Sequence, residues 1–232
     1  MAAWDRHLPR GLIVSCQAEE DEPLFGAPIM ATMAVAALQG GAVGIMANGP
    51  ADVAAIRAVT DGFLIGVHKV RAPGVPVYIT PTREAAALVA RAGCDMIAVD
   101  ATPRPRPGGL TLPELVTYIQ TTLGLPVMAH VSCRADAEFA APLGVDVLTT
   151  ALAGYTAHGR PPLDGPDLQL LADLVAHTRL PVVAEGRFRT PAEVAHAFEL
   201  GAAAVVIGGA ITRPQDITRR LVQAVPVAAG AR

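Results

Sequence analysis

The stretch GLPVMAHVSCRADAEFAAPLGVDVLTT, residues 124–150, contains one complete strand–helix–strand unit. It has apolar runs at Val127–Val131 and Val145–Thr150. Both runs are continuous rather than alternating in hydrophobicity, which is typical of parallel strands covered on both faces. A helical pattern over Ala135–Leu143 connects them and is followed by Gly144, the residue type that relieves the left-handed turn at a helix end. This stretch therefore predicts a parallel β-α-β unit.

The same pattern recurs along the whole chain. Further apolar runs lie at Leu12–Cys16, Val43–Ala47, Phe63–Val67, Met96–Asp100, Val182–Glu185 and Ala204–Gly208. Further helical patterns lie at Ile29–Gln39, Thr82–Ala92, Leu112–Leu123, Asp167–His177 and Pro191–Leu200. Thr82 and Thr190 are candidate helix caps. Eight β-then-α units without a linker predict an α/β fold, a (β/α)8 TIM barrel, in a single domain over residues 1–232.

Two segments interrupt this rhythm, and both follow predicted strands. The first is His68–Pro81, in which Val77–Ile79 suggests a short extra strand, and the second is the Gly- and Pro-rich segment Gly154–Pro166. In this fold the loops after the strands build the rim of the active site. We therefore expect both segments to border the functional site.

Composition excludes several classes of protein. The chain has 232 residues, 52% hydrophobic and 17% charged, with a net charge of −3, so neither disorder nor nucleic-acid binding is favoured. No apolar run approaches the roughly 20 residues that span a membrane, and residues 1–11 do not resemble a secretion signal, so we expect a cytoplasmic protein. Cys16, Cys94 and Cys133 fit neither a disulfide framework nor a zinc knuckle, and we expect small buried side chains.

Lys69 is the only lysine among 18 basic residues. Lysine can be deprotonated whereas arginine in practice cannot, so this position suggests proton chemistry. It is one of a set of polar residues that follow the apolar runs, namely Ser15, Gln17, Asn48, Lys69, Asp100, His130, Thr149, Thr150 and Glu185. The third and seventh strands of an eight-stranded barrel lie opposite each other. We therefore predict that Lys69 and Glu185 face one another across a small substrate.

Glycines after the last two strands suggest a phosphate site. Gly186, Gly208 and Gly209 would expose backbone N–H groups, and Arg213 would add positive charge. The run Arg104–Pro107 is expected to be a stiff exposed loop, with a substrate-facing arginine as the less favoured alternative. His7, His158, His177 and His196 lack the spacing of metal ligands, so no metal is predicted.

Several motifs together resemble one known family. They are GLIVSCQ (Gly11–Gln17), GAVGI and ANGP on either side of Met46, IGVHK (Ile65–Lys69), VYITPT (Val77–Thr82), AGCDMIAVDATPRPRP (Ala92–Pro107), AGYT (Ala153–Thr156), AEGRFRTP (Ala184–Pro191) and GAAAVVIGGAITRP (Gly201–Pro214). The chain resembles, over nearly its whole length, the bacterial N-acylmannosamine-6-phosphate 2-epimerases, which are (β/α)8 barrels.

This resemblance implies a metal-free epimerisation without a cofactor. The hydrogen at C2 of ring-opened N-acetylmannosamine 6-phosphate is removed and returned on the other face, giving N-acetylglucosamine 6-phosphate. The resemblance makes Lys69 the proton-transferring group, with Glu185 in support. It implies substrate contacts from the set Ser15, Gln17, Met46, Asn48, Asp100, His130, Tyr155 and Arg187.

Two positions depart from the family pattern. Met46 stands where the family usually has arginine, and His130 where it usually has aspartate. Met46 carries no charge, whereas a histidine can exchange a proton near neutral pH and could take over part of the aspartate's work or recognise a different hydroxyl. If the arginine and aspartate pair in relatives, losing both leaves no unpaired charge.

Three hypotheses remain open at this point. The first is a sugar-phosphate 2-epimerase, whose substrate could differ around the ring. The second is a phospho-sugar aldolase in which Lys69 forms a Schiff base. The third is a catalytically silent barrel that binds a sugar phosphate. In each case we expect a small-molecule ligand and a homodimer, the commonest oligomer.

Overall fold

The strands form one closed parallel barrel in the computed structural model, which describes residues 8–226. His7 and most of the segment considered as a secretion signal lie outside the described residues. The strands are β1 (Leu12–Cys16), β2 (Gly44–Asn48), β3 (Phe63–Val67), β4 (Met96–Asp100), β5 (Val127–His130), β6 (Val147–Thr149), β7 (Val182–Glu185) and β8 (Ala204–Ile207). Each strand pairs in parallel with its neighbours, and β8 pairs with β1. The predicted (β/α)8 barrel is confirmed.

Helices follow the strands around the barrel. They are α1 (Ala27–Gln39), α2 (Gly49–Arg57), α3 (Arg83–Arg91), α4 (Leu112–Tyr118), α5 (Arg134–Ala140), α6 (Leu168–His177), α7 (Pro191–Glu199), α8 (Gly209–Thr212) and α9 (Pro214–Val222). A π-helical turn, Ile119–Leu123, extends α4, and a 3-10 turn, Ala141–Leu143, extends α5. All six predicted helices are present and begin within two residues of the expected positions.

Three helices, α2, α8 and α9, were not predicted. The start of α2 carries a usable signal, because Pro50 lies in its first turn and the buried Val53 and Ile56 are three residues apart. The predicted caps are confirmed. Thr82 accepts a hydrogen bond from the Ala85 amide at 3.1 Å, and Thr190 forms a capping box with Glu193.

The strands bury side chains on both of their faces. One apolar cluster fills the barrel interior and includes Ile13, Met128 and Val183. A second apolar cluster includes Val14 and Ala129. It consists of strand residues that point out of the barrel and of helix residues that pack against them. Because side chains alternate along a strand, burial on both faces accounts for the continuous apolar runs in the sequence.

The same alternation selects the residues at the top of the barrel. Two positions after an interior residue, the next inward side chain is polar in several strands: Ser15 follows Ile13, Asp100 follows Ala98, His130 follows Met128, Thr149 follows Val147 and Glu185 follows Val183. The strands therefore end in a ring of polar groups above an apolar interior.

Two loops differ from expectation. The extra strand at Val77–Ile79 was wrong, since His68–Pro81 contains only an isolated bridge between Lys69 and Ile79 among the pairings described for it. The exposed loop predicted at Arg104–Pro107 was also wrong. Arg106 is buried, and its guanidinium donates to the backbone oxygens of Asp100 and Thr102. Two guanidinium nitrogens satisfy these carbonyl groups, whereas the Arg106 Nε has no hydrogen-bond partner among residues 8–226.

Other sequence expectations have simpler outcomes. Cys16 and Cys94 are buried as expected, and Cys133 is partly buried. Burial raises the pKa of the Cys16 and Cys94 thiols to about 12, so both stay protonated. Within residues 8–226, no helix combines the length and apolar character needed to cross a membrane.

Gly66 in β3 offers a test of the packing that positions Lys69. A Cβ at this residue would lie 2.9 Å from the Cys94 Sγ and 3.2 Å from the Val89 Cβ. We expect Gly66→Ala to lower the free energy of unfolding by about 1–3 kcal/mol, the usual cost of overpacking a core. Gly165→Ala is the control, because its Cβ would meet only the Glu193 Oε1 at 3.5 Å. Equal urea midpoints for the two variants would contradict this prediction.

Candidate active site

A cavity of about 250 Å³ lies at the carboxyl ends of the strands. Its wall includes Lys69, Glu185, His130, Met46, Ser15, Gln17 and Tyr155. A wider cleft of about 600 Å³ adjoins it beside β7 and β8. The two share Ser15, Tyr155, Glu185, Gly186, Gly208, Gly209 and Arg213. The fold thus brings the predicted proton-carrying pair and the predicted phosphate residues to one continuous opening.

Lys69 follows β3 and is held through its backbone. Its amide donates to the Asn48 Oδ1 at 2.9 Å, and it bridges to Ile79 on the loop that returns toward α3. Its Nζ donates to the Glu19 Oε1 at 3.2 Å. Asn48 therefore orients Lys69, while Glu19, which sequence reasoning missed, contacts the amine itself. The acidic run at residues 19–22 directly after β1 was the available signal.

Glu185 ends β7 and is held by Thr149, the last residue of β6, and by Thr150, which follows it. Its carboxylate accepts from the Thr149 hydroxyl at 3.1 Å, and its amide donates to the Thr150 Oγ1 at 2.9 Å. Burial raises the pKa of Glu185 to about 7, against the opposing effects of the Thr149 hydrogen bond and the positive charge of Lys69. This carboxyl group can therefore gain and lose a proton near neutral pH.

His130 ends β5 and is buried in the cavity wall with Met46. Neither of its ring nitrogens has a hydrogen-bond partner among residues 8–226. Burial, followed by the charge of Lys69, lowers the pKa of His130 to about 3. The expectation that His130 exchanges a proton near neutral pH was therefore wrong. The ring is a neutral group with one N–H donor and one acceptor nitrogen.

Asp100 is fully buried at the end of β4. Its oxygens accept from the Thr102 amide at 2.9 Å, the Thr102 hydroxyl at 2.7 Å and the Arg104 Nη2 at 2.7 Å. Among the described residues, neither Asp100 nor Asn48 belongs to the wall of the two cavities. The structure does not bring Asp100 to the position expected of a direct substrate contact, because its oxygens hold the loop that follows its own strand.

The remaining predicted contacts lie around the opening. Gln17 donates from Nε2 to the Ser15 Oγ at 2.9 Å, so these two side chains form one polar unit after β1. Arg187 borders only the wider cleft of the two. Its guanidinium donates to the Gly165 and Ala153 carbonyl oxygens and lies 5.4 Å from the centre of the Tyr155 ring. Arg187 therefore stabilises the loop that carries the exposed Tyr155.

Arg213 lies at the junction of the cavity and the cleft, close to Gly208 and Gly209. Its Nε lies 2.8 Å from the Glu22 Oε1, and its Nη2 donates to the Glu22 Oε2 at 2.9 Å. Gly186 has a φ of +108°, which favours glycine at this turn. The predicted phosphate residues are thus gathered together, with Arg213 in a two-point contact with an acidic side chain.

The fold also gathers three residues that their spacing did not connect. Within residues 8–226, ligand-type atoms of Cys133, Asp136 and His158 lie within 4.8 Å of one another. The buried Asp136 carboxylate already accepts from the Ser132 amide and hydroxyl and contacts the His158 Nε2 at 2.9 Å. These hydrogen bonds hold the start of α5, and they explain why the three side chains lie close together.

Known proteins with similar sequences identify the family to which this chain belongs. Residues 30–227 match the family model described as "Putative N-acetylmannosamine-6-phosphate epimerase". A relative from Caldanaerobacter subterraneus subsp. tengcongensis, named "Putative N-acetylmannosamine-6-phosphate 2-epimerase", is 48% identical over 93% of this chain and 91% of its own. One of the same name from Clostridioides difficile is 45% identical over 93% and 96%. The chain belongs to this epimerase family.

A solved structure of the epimerase family has the same fold. The N-acetylmannosamine-6-phosphate 2-epimerase from Clostridium perfringens superimposes with a TM-score of 0.89 at 42% identity, over 92% of this chain and 93% of that one. A thiamine phosphate pyrophosphorylase from Pyrococcus furiosus, with a TM-score of 0.58 and 17% identity, shares the barrel fold alone. The family resemblance inferred from the motifs is confirmed.

The raised pKa of Glu185 in this epimerase-family barrel predicts a pH-dependent stability. The native state keeps the Glu185 proton up to about pH 7, whereas the unfolded chain releases it near the ordinary glutamate pKa of 4.5. The free energy of unfolding therefore falls as pH rises through this window, because the native state binds more protons there. At pH 8 we expect Glu185→Gln to be more stable than the wild type by about 1–3 kcal/mol, and at pH 4 to be about equal.

Urea unfolding of both proteins at several pH values measures this difference. Comparing wild type with variant cancels the titration of Asp52, whose pKa burial raises to about 6. A stability difference that stays constant between pH 4 and pH 8 would contradict the prediction.

Proposed function

We propose that this chain interconverts N-acetylmannosamine 6-phosphate and N-acetylglucosamine 6-phosphate by proton transfer at C2 of the ring-opened sugar. The observation that carries the proposal is the shared cavity of Lys69 and Glu185, which adjoins the glycines and the arginine assigned to the phosphate. The names of the relatives supply the substrate. The cavity contains two groups that can move protons and, at one end, a cationic residue. A sugar phosphate that is epimerised requires both features.

Lys69 and Glu185 would reach the bound sugar from opposite sides of the barrel. In one direction the Lys69 amine takes the proton from C2, and the electron pair of the C–H bond moves toward the C1 carbonyl to form an enolate. Glu185, as the neutral acid, then delivers a proton to the other face of C2. In the reverse direction the two groups exchange roles. A Glu185 pKa of about 7 supports this assignment, because both of its protonation states are accessible at neutral pH.

The proposed reaction needs neither a metal ion nor a cofactor. The C1 aldehyde acidifies the C2 hydrogen, and the ammonium formed when Lys69 takes up the proton offsets the charge of the enolate. His130 is assigned to a neutral oxygen-bearing group of the sugar, since the residue borders the cavity and neither ring nitrogen has a partner among residues 8–226. Met46 beside it contributes apolar surface.

We also propose a cytoplasmic homodimer. Exposed apolar side chains near the C-terminus support an interface there, since Leu221 is 64% exposed and Val225 is 65% exposed.

Two substitutions of Lys69 separate proton transfer from charge. Lys69→Ala removes both, and Lys69→Arg keeps the positive charge that faces Glu19 but cannot be deprotonated. We expect both variants to lose roughly 10²–10⁴-fold in turnover while keeping the wild-type unfolding midpoint. Proton NMR in deuterated water, following the C2 hydrogen and the anomeric signals of both epimers, measures the loss.

Full activity in Lys69→Ala would overturn the proposal. An active Lys69→Arg would show that charge alone suffices. Borohydride treatment with substrate addresses the Schiff-base alternative, which requires a covalent mass increase at Lys69.

His130→Leu tests the proposed substrate contact. Replacing the ring removes two buried nitrogens that have no partner within the described residues 8–226, so stability should stay unchanged or rise by up to about 3 kcal/mol. The KM for the sugar phosphate should rise about tenfold or more, because the donor and acceptor are lost. Met128→Leu is the control, as Met128 lies two residues earlier in β5 within the apolar interior. A lower stability together with an unchanged KM would assign His130 to packing instead.

A further inference from the structure

One short loop segment contacts both cations of the cavity. The segment Glu19–Glu22, here named the acidic turn, follows β1. Glu19 lies 3.2 Å from the Lys69 Nζ, and Glu22 lies 2.8 Å from the Arg213 Nε. Lys69 belongs to the proposed reacting end of the cavity and Arg213 to its proposed phosphate end, so four residues of chain connect the two ends.

Hydrogen bonds within the acidic turn link its two carboxylates. The Glu22 amide donates to the Glu19 carbonyl oxygen at 2.9 Å, and the Glu19 amide donates to the Glu22 Oε2 at 2.8 Å. The Glu22 Oε1 also accepts from the Gln215 side chain at 3.1 Å. The Glu22 carboxylate therefore holds Arg213 and the backbone of Glu19 at once, and its displacement from Arg213 would also disturb the residue that contacts Lys69.

We propose that the acidic turn couples anion binding at Arg213 to release of Lys69 from Glu19. A phosphate group offers a planar guanidinium the same two-point contact as a carboxylate and carries more negative charge. It therefore competes with Glu22 for Arg213 and repels the Glu22 carboxylate. When Glu22 moves, Glu19 loses the side chain that anchors its amide, and its contact with the amine weakens.

This coupling makes Glu19 a positioning residue for Lys69. The Glu19 carboxylate contacts the Lys69 Nζ at 3.2 Å. This contact fixes the position of the amine until the phosphate end is filled. Sugars without the phosphate would fit the reacting end but meet a lysine still paired with Glu19. The anion's identity as a substrate phosphate rests on the proposed function, whereas the coupling itself rests on the contacts.

Because Lys69 is the only lysine, its reactivity can be measured without substrate. The test is reductive methylation with formaldehyde, a neutral reagent, followed by peptide mass spectrometry with the N-terminal amine as internal reference. In the wild type, inorganic phosphate should raise the Lys69 rate about two- to fivefold over sodium chloride of equal ionic strength, the range for breaking one partly exposed ion pair. Glu19→Gln should show the higher rate without phosphate and no further response to it.

Glu20→Gln is the matched control, because it removes the same charge from an exposed neighbouring residue. It should behave as the wild type. A Lys69 rate that phosphate leaves unchanged in the wild type overturns the coupling, as does a rate in Glu19→Gln equal to that of Glu20→Gln.

A second readout uses exchange of the C2 hydrogen in unphosphorylated N-acetylmannosamine. Added inorganic phosphate should raise kcat for this sugar in the wild type, and Glu19→Gln should raise it without phosphate. A purely structural role for Glu19 would instead lower the rates with both sugars. If the wild type fails to exchange even the 6-phosphate, the proposed function is wrong, and the methylation assay still decides whether the acidic turn couples Arg213 to Lys69.

Discussion

Pairing of β8 with β1 is the constraint on which the site depends. Once the sheet closes, every second side chain of each strand points into one interior, and the last inward residue of each strand points to the same opening. Apolar residues such as Met128 and Val183 fill the interior below this level. His130 and Glu185 come two positions later and therefore border the cavity by the geometry of the strands.

Closure also explains why these polar groups have unusual properties. The ring of strands shields them from water, and the surrounding interior offers few partners. The Glu185 carboxylate accepts a hydrogen bond from Thr149, yet its pKa rises to about 7, while the pKa of His130 falls to about 3. Burial disfavours the charged form of each group, so His130 is neutral at pH 7 and Glu185 has both protonation states accessible. The free energy lost by burying such groups is typical of functional positions, where stability and activity conflict.

Charge at the opening is balanced by contacts between separate loops. Lys69 faces Glu19, and Arg213 faces Glu22. The two residues that depart from the family pattern, Met46 and His130, are neutral and buried in the same wall. Two neutral side chains at these positions leave no buried charge without a partner there.

Local signals in the sequence determined the architecture. Continuous apolar runs, glycines after helices, and the caps Thr82 and Thr190 act within a few residues, and they located all eight strands. They also pointed to Lys69 and Glu185, because strand ends can be read from the apolar runs. Tertiary structure alone decided which polar groups are satisfied by other loops. Lys69 is engaged by Glu19 and Arg213 by Glu22, and His130 remains unprotonated. The physical reason is that electrostatic contacts and burial depend on residues far apart in the chain, which local patterns do not encode.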